Sequence, residues 1–472
     1  MNINLVHTED LWHFTGDPFA DAGGYALKVF AKKYPEKDIL ELIRIATDIY
    51  VDKWGGKLNT FFLNSKITQP SFDAQQKKNE TIKYFTSLLQ ETEPFVSGFC
   101  RITGRKTKLF SAGRDNTVLT GSGKFVNFHH MFQDGIMLSK EAIIRMFFLP
   151  LGSELLQGKI AVIHSNNEDV ASYFGAKCCK RNLDTVAMNL SDGVLHSPSN
   201  APGTALFRYV DDVLLEKKEL KTKDVCAILY LFSNFGASPE LLIYNLSCTV
   251  FQFYVFTRHE KYRKQWDGFV MTGYRNSAYS KYFKEDRYHY SFQDKLLVFE
   301  DKKGNAKIGE EDYKYWKNKI YDSLLSNKSI MNDLLRYSKN NEIDFDIIKA
   351  YAIKIRKMKR ETIEKIEKMA DFIINANDED GTKKAIQKLN RATTAFLLRR
   401  FILNDIVTKN YNEQNEIMIS LEDYTNYLFP DTESWKEMRD VLLIAIYQKL
   451  HERKMFIEDI LDEQEEEKEV IE

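Results

Sequence analysis

The chain has 472 residues, room for about three average domains or two large ones, and its 43% apolar and 29% charged content excludes the disordered and collagen-like classes. With 67 basic and 68 acidic residues the net charge is −1, so no global field points towards or away from nucleic acid, and any basic surface must be local. Only nine prolines among abundant Lys, Glu, Ile and Leu favour helix over strand.

The opening residues lack the charged-then-apolar layout of a signal peptide, and no run reaches about 18 apolar residues, which reads as a cytoplasmic chain with no membrane partner. Five cysteines, at 100, 178, 179, 226 and 248, are an odd, scattered set that reads as free thiols in a reducing compartment. Apolar spacing predicts helices over Ala20 to Tyr34 and Ile39 to Val51. From Phe95 to Leu155 short β-like pieces and glycine turns precede an apolar helix, Ala142 to Phe148, that stops at Pro150. Lys159–His164 reads as a buried strand, Glu168 to Cys179 as a helix, and Thr204 to Leu215 as a second strand. Bases and aromatics interleave from Arg258 to Tyr290, a stretch expected at the domain surface, and Asp301 to Ala306 reads as a linker. Beyond about Glu310 every segment reads helical, up to an acidic end over Asp462 to Glu472. The fold class is therefore α+β: a mixed N-terminal domain over 1–305 with an inserted knuckle at about 95–155, then a helical bundle over 306–472.

Familiar catalytic motifs fail on inspection. Gly121-Ser-Gly-Lys124 is not a phosphate loop, since Val118 stands at the first glycine and Phe125 at the magnesium-binding hydroxyl. His259-Glu260 and His451-Glu452 lack the second histidine of a zinc-protease helix, because Arg263 and Met455 stand there. Asp211-Asp212, read on a strand, would point to opposite faces and so make no metal pair. These readings leave no enzyme to assign. A stand-alone enzyme using His129, His130 and Cys178-Cys179, or a helical scaffold binding only protein, are the alternatives.

One constellation is more specific. Gly16-Asp-Pro-Phe-Ala-Asp-Ala-Gly23, Phe62-Leu-Asn-Ser65, Asn127-Phe128 and Phe148-Leu-Pro-Leu-Gly152 together resemble the large subunit of type I-B CRISPR surveillance complexes (Cascade), the family named for two Cys-x-x-Cys pairs. The order and spacing match over most of the first 165 or so residues, and beyond Gly175 the likeness is architectural. The family's first cysteine pair falls on Cys100 and Thr103, and its second, counted back from Pro150, on Ser139 and Ala142. A structural zinc needs about four N or S ligands, so one thiolate predicts a metal-free knuckle held by packing of Phe99, Ile102, Leu109, Phe125, Phe128, Met131 and Met146. The rival is an irregular site of Cys100, His129 or His130, and Cys178 or Cys179.

The resemblance implies a non-catalytic subunit that reads a protospacer-adjacent motif in double-stranded DNA, helps open the duplex and stabilise the R-loop, and helps recruit a separate helicase-nuclease in antiviral defence. Its partners would be the guide-RNA complex with its backbone and small subunits, the target DNA and that effector; no cofactor is implied. Lys57, Asn59, Asn64 and Ser65, with Asn127 and His129 in the knuckle, are candidates to reach base edges. Arg258, Arg263 and Arg275 are candidates to track phosphates while neighbouring aromatics stack bases, the other reading being a tyrosine-rich packing surface. Over Asp346 to Ile373, residues Ile348, Ile355, Thr362, Ile366, Met369 and Ile373 fall within about 40° of one helical line. Lys349, Arg356 and Arg360 then form a strip that neutralises phosphates or is a solvated face with Glu361–Lys365 and Glu364–Lys368 pairs. The C-terminal bundle is small-subunit-like, and Met331 is either an internal start for a separate small subunit or an ordinary methionine.

Overall fold

The computed structural model describes residue 6 and residues 8–120, 135–216, 224–234, 240–430 and 435–455. Among them helix dominates, at 56% against 14% strand, and the architecture is α+β with a helical C-terminal region. The chain divides into two compact units, one built from 1–251, 275–288 and 296–318, the other from 252–274, 289–295 and 319–472.

The first unit opens with α1 (Pro18–Lys33), α2 (Ile39–Asp48, prolonged by a π turn over Ile49–Lys53) and α3 (Ala74–Leu89). Each start is written in the sequence: Asp17, Asp38 and Asp73 accept hydrogen bonds from the first-turn amides, and Asp38 and Asp73 complete capping boxes with Glu41 and Gln76. Strands β1 (Phe95–Phe99), β2 (Lys106–Ala112) and β3 (Ile136–Leu138) make one antiparallel sheet that leads into α4 (Lys140–Phe148). Strands β4 (Glu154–Leu156) and β5 (Lys159–Ser165), helices α5 (Glu168–Ala187) and α6 (Pro202–Glu216), then β6 (Ala227–Ser233) and β7 (Glu240–Leu246) follow. The four strands form an antiparallel sheet in the order β4-β5-β6-β7. Every residue of β5 after Lys159 is buried, the apolar run Ile160–Ile163 and the polar His164 and Ser165 alike.

Helix α7 (Cys248–Thr257) carries the chain out of the first unit, and α8 (Glu260–Met271) and β8 (Tyr274–Arg275) follow. Next come α9 (Ser280–Lys284), β9 (Tyr288–Ser291), β10 (Leu296–Asp301), β11 (Gly304–Gly309), α10 (Glu310–Tyr313), β12 (Lys317–Asn318) and α11 (Lys319–Leu325). The rest is helical: α12 (Met331–Asn340), α13 (Phe345–Ala350), α14 (Arg360–Asn375), α15 (Glu379–Asn390), α16 (Ala395–Phe401), α17 (Thr408–Gln414), α18 (Leu421–Asp423) and α19 (Trp435–Glu452). Helix α19 is the axis of the second unit, buried from Val441 to Tyr447 without a break and packed against α12 and α14.

Four expectations need correction. Thr204–Leu215 is not a strand but most of α6, whose buried Ala205, Leu206, Tyr209, Val210, Val213 and Leu214 recur at helical spacing. Its density of Val, Phe and Tyr imitates a strand because so much of the helix is buried. Asp211 and Asp212 therefore lie on a helix, and Asp212 pairs with Lys177. Asp301 to Ala306 is not a linker but the tip of the β10–β11 hairpin, where Asp301 faces Gly304. Asp346 to Ile373 is not one helix: a π turn over Tyr351–Ile355 and Lys357 at φ +61° separate α13 from α14. The Arg258–Tyr290 stretch is not a surface band, since Tyr262, Trp266 and Tyr274 are buried. In the first unit Tyr279, Tyr282, Phe283 and Tyr288 pack around Phe299.

Candidate nucleic-acid interface

The knuckle is built from a hairpin and a helix start. Cys100 follows β1; its amide donates to Arg105 O at 2.9 Å and its carbonyl accepts Gly104 N at 2.9 Å. This tight turn holds Gly104 at φ +69°, a conformation that favours glycine. Ser139 caps α4, accepting from Ala142 N at 3.3 Å, and its own amide donates to Cys100 Sγ at 3.4 Å. Burial raises the Cys100 thiol, but hydrogen bonds from Thr103 and Ser139 outweigh it and hold the thiol below its ordinary value. Three of the positions marked by the cysteine pairs thus meet in space, Thr103 and Ser139 at Cys100, and the fourth, Ala142, is joined to Ser139 through its amide. Their chemistry is one sulfur, two hydroxyls and a methyl, which does not fit a structural zinc. Among the described residues no group of three or more His, Cys, Asp or Glu is placed to hold a metal. Leu109 and Met146 are buried as expected for a packed knuckle, whereas Phe99 is 67% exposed and contributes no packing core. Phe125, Asn127, Phe128, His129, His130 and Met131 lie outside the described residues.

The first and last motifs of the resemblance form one junction. Asp17 caps α1 by accepting from Phe19 N and Ala20 N at 3.0 and 2.8 Å, and Pro18 fills the first helical position, where a missing N–H costs nothing. Asp21, fully buried, accepts from Thr15 Oγ1 at 2.6 Å, Gly16 N at 2.9 Å and Arg145 Nη2 at 2.6 Å. Its second oxygen lies 3.1 Å from His164 Nε2, whose ring stacks on Phe14. Arg145, also 0% exposed, spends its other donors on the carbonyls of Ala20, Asp10 and His13 at 2.8, 3.2 and 2.8 Å. A Cβ at Gly23 would sit 1.9 Å from Arg145 O, and one at Gly152 would sit 2.4 Å from Ala22 O. Gly23 and Gly152 are therefore close backbone approaches that only glycine allows, and the buried Asp21–Arg145 ion pair seals the junction beside them. Cys178 and Cys179 belong to this interior on α5: burial pushes Cys178 far up and Cys179 to about 12, so both are neutral packing thiols.

Between α2 and α3 the loop over residues 54–73 presents the first set of candidate readers. Lys57, Asn59 and Asn64 are exposed, and Asn64 adopts φ +61°. Lys57 makes only a solvent-exposed 3.4 Å contact with Asp192, worth little in water. Ser65 is buried and exchanges hydrogen bonds with Thr68, so it shapes the turn. The loop is pinned by Asn234 at the end of β6, whose amide donates to Thr60 O at 2.9 Å and whose Nδ2 donates to Phe61 O at 2.9 Å. Asn234 Oδ1 accepts Leu119 N at 3.2 Å. Three exposed polar side chains thus project from a backbone fixed to the sheet.

The remaining candidates are largely engaged. Arg258 pairs with Asp267 at 2.7 Å and lies over Tyr254, and Arg263 reaches the same carboxylate at 3.8 Å. In the first unit Arg275 lies over Phe283 and Tyr288. In the second, Lys349 pairs with Glu367 at 2.6 Å and Arg356 with Glu437 at 2.8 Å, while Arg360 is exposed. Lys365 bonds Asp423 at 2.6 Å, so the expected pairing with Glu361 is replaced by a tertiary one.

The bundle holds a basic cleft that the sequence reading missed. Lys384 and Lys388 on α15 and Arg391 at its C-cap recur at i, i+4 and i+7, one face of the helix. Together with Lys409 on α17 they line an open cleft of about 770 Å³. The one carboxylate in its wall, Asp405, binds Lys388 at 2.6 Å. Lysine side chains lining such a cleft can neutralise phosphates of a nucleic-acid strand. The helical spacing of these bases was the available signal.

Residues 336–472 match the DevT C-terminal domain family, a span that contains this cleft. No curated protein matches the chain. No helix among the described residues is long and apolar enough to cross a membrane.

Proposed function

We propose that the chain is a non-catalytic subunit of a type I-B CRISPR RNA-guided surveillance complex, acting as its large subunit. The observation that carries this reading is the match of residues 336–472 to the DevT C-terminal domain, DevT being associated with type I-B Cascade. The motifs over the first 165 or so residues resemble a large subunit of the same kind of complex, so the two ends of the chain point to one assembly.

In this role the work divides by chemistry. Lys57, Asn59 and Asn64 project from a pinned loop and supply donors and acceptors for the edges of a flanking motif in duplex DNA. Lys384, Lys388, Arg391 and Lys409 supply sequence-independent contacts to a phosphate backbone, which stabilise an opened strand without reading it. Sequence identity is left to guide pairing, and cleavage to a separate helicase-nuclease recruited in antiviral defence. The buried Asp21–Arg145 junction keeps the framework of the first unit rigid. The knuckle is held by hydrogen bonds to one thiol and by packing, with no metal.

The test is co-expression of the tagged chain with the guide-RNA complex. Recovery of guide RNA, backbone subunits and small subunits in a stoichiometric particle is expected. A chain that purifies alone in the presence of an assembled complex would contradict the reading, and substrate turnover by that isolated chain would return the enzyme alternative.

A further inference from the structure

Cys226 and Cys248 stand at one end of the β6–β7 pair. Ala227 faces Leu246 in the register, so Cys226 directly precedes one strand and Cys248 lies two residues beyond the other, where the chain turns into α7. Both thiols are partly exposed, unlike the buried Cys100, Cys178 and Cys179, and burial together with the neighbouring Cys226 thiol raises Cys248 above its ordinary value. Cys226 is held in place: its amide donates to Asn166 Oδ1 at 2.9 Å, its thiol donates to the same oxygen at 3.4 Å, and its carbonyl accepts Ser165 Oγ at 2.6 Å. Asn166 is anchored in turn by donating to Asp224 O at 3.0 Å.

We propose that Cys226 and Cys248 form a reversible, oxidation-dependent disulfide. The oxidant class is a small-molecule disulfide such as glutathione disulfide. One protein thiolate attacks a sulfur of glutathione disulfide and expels one glutathione thiolate, leaving a mixed disulfide. The second protein thiolate attacks the protein sulfur of that intermediate, forms the Cys226–Cys248 bond and expels the second glutathione thiolate. The protons of the two protein thiols end on two glutathione thiols, and the protein gives up two electrons. Because α7 carries the chain from the first unit into the second, the bond ties the first residue of that connection to β6. Its partial exposure makes the bond accessible to reducing thiols, as a switchable rather than a permanent link requires.

The full-length protein is treated with graded ratios of glutathione disulfide to glutathione, blocked with N-ethylmaleimide and analysed by intact mass and peptide mapping. The expected product has lost two hydrogens, lacks maleimide on Cys226 and Cys248, and returns to the starting mass with dithiothreitol. Cys226→Ser, whose hydroxyl can still donate to Asn166, and Cys248→Ser should each stop at a stable glutathione adduct on the remaining cysteine. Matching circular-dichroism melts show that both variants are folded. Two glutathiones retained on the wild-type chain, a bond mapped to any other cysteine pair, or no reaction at ratios that oxidise the reduced, unfolded chain would overturn the proposal.

Discussion

Replacing Arg145 by Met removes the cation that neutralises Asp21 while keeping most of the side-chain volume. Asp21 is then a fully buried carboxylate facing only Thr15, Gly16 and a histidine. Stranding one member of a buried ion pair costs about 3–5 kcal/mol. The carbonyls of Ala20, Asp10 and His13 are also left without their donor, each worth about 1 kcal/mol net, so the total destabilisation should exceed about 4 kcal/mol. Urea unfolding followed by tryptophan fluorescence reads the first unit through Trp12, Trp54 and Trp316. The double variant Asp21→Asn with Arg145→Met removes both charges and should recover at least about 1 kcal/mol relative to Arg145→Met alone. The pH dependence has a definite sign. Burial raises the Asp21 carboxyl, but His164, Thr15 and Arg145 together hold it below its ordinary 3.8. The folded state thus binds its proton more weakly than the unfolded state does. The stabilisation is complete above the unfolded value and is lost as pH falls through 3.8 and below. A destabilisation under about 1 kcal/mol for Arg145→Met, or stability that rises on acidification in this range, would refute the argument that these motifs are a structural junction.

Three further outcomes follow from the geometry. The triple substitution Thr103→Cys, Ser139→Cys and Ala142→Cys should bind one zinc per chain by elemental analysis, because Thr103 and Ser139 already meet Cys100 and Ala142 lies one helical turn beyond Ser139; the unmodified protein should carry none. Neutralising Lys384 and Lys409 together should flatten the slope of log affinity against log salt on single-stranded DNA, by about 0.7 for each phosphate no longer neutralised, while leaving the melting temperature unchanged. A fragment of residues 331–472 expressed alone should show no sharp thermal transition, because Tyr351 is deprived of Phe253, Tyr337 of Phe269 and Asp344 of Lys261. A cooperative melt at the full-length temperature would restore Met331 as the start of an independent subunit.

The elements that declared themselves in sequence were those with one clear period and a written start. Helices α1 and α2 have Asp caps and an apolar stripe, and β5 is an unbroken apolar run. Helix α6 hid its period because most of its surface is buried, so an apolar run rich in Val, Phe and Tyr imitated a strand. The α13–α14 break was illegible because a π turn and one residue at positive φ leave no Pro or Gly to mark them. At the candidate site, Cys100 and Ser139, two of the positions named from motif spacing, touch across 39 residues. The Asp21–Arg145 pair, 124 residues apart, has no sequence signal: Arg145 sits inside an apolar helix with nothing nearby to name its partner. The strip of Lys349, Arg356 and Arg360 requires a continuous helix, which the π turn interrupts, whereas Lys384, Lys388 and Arg391 share one face of a helix that is continuous to its cap.

The central claim is that this chain gives a guide-RNA complex its access to a flanked duplex. It is tested most directly by measuring duplex-DNA binding of the co-expressed complex, with and without the chain, on targets carrying a library of flanking sequences. Tight binding that needs both the chain and a particular flank is expected, and substituting Lys57 and Asn59 with Ala and Asn64 with Gly should erase the flank preference while leaving the particle assembled. Equal binding by the complex lacking this chain would contradict the account.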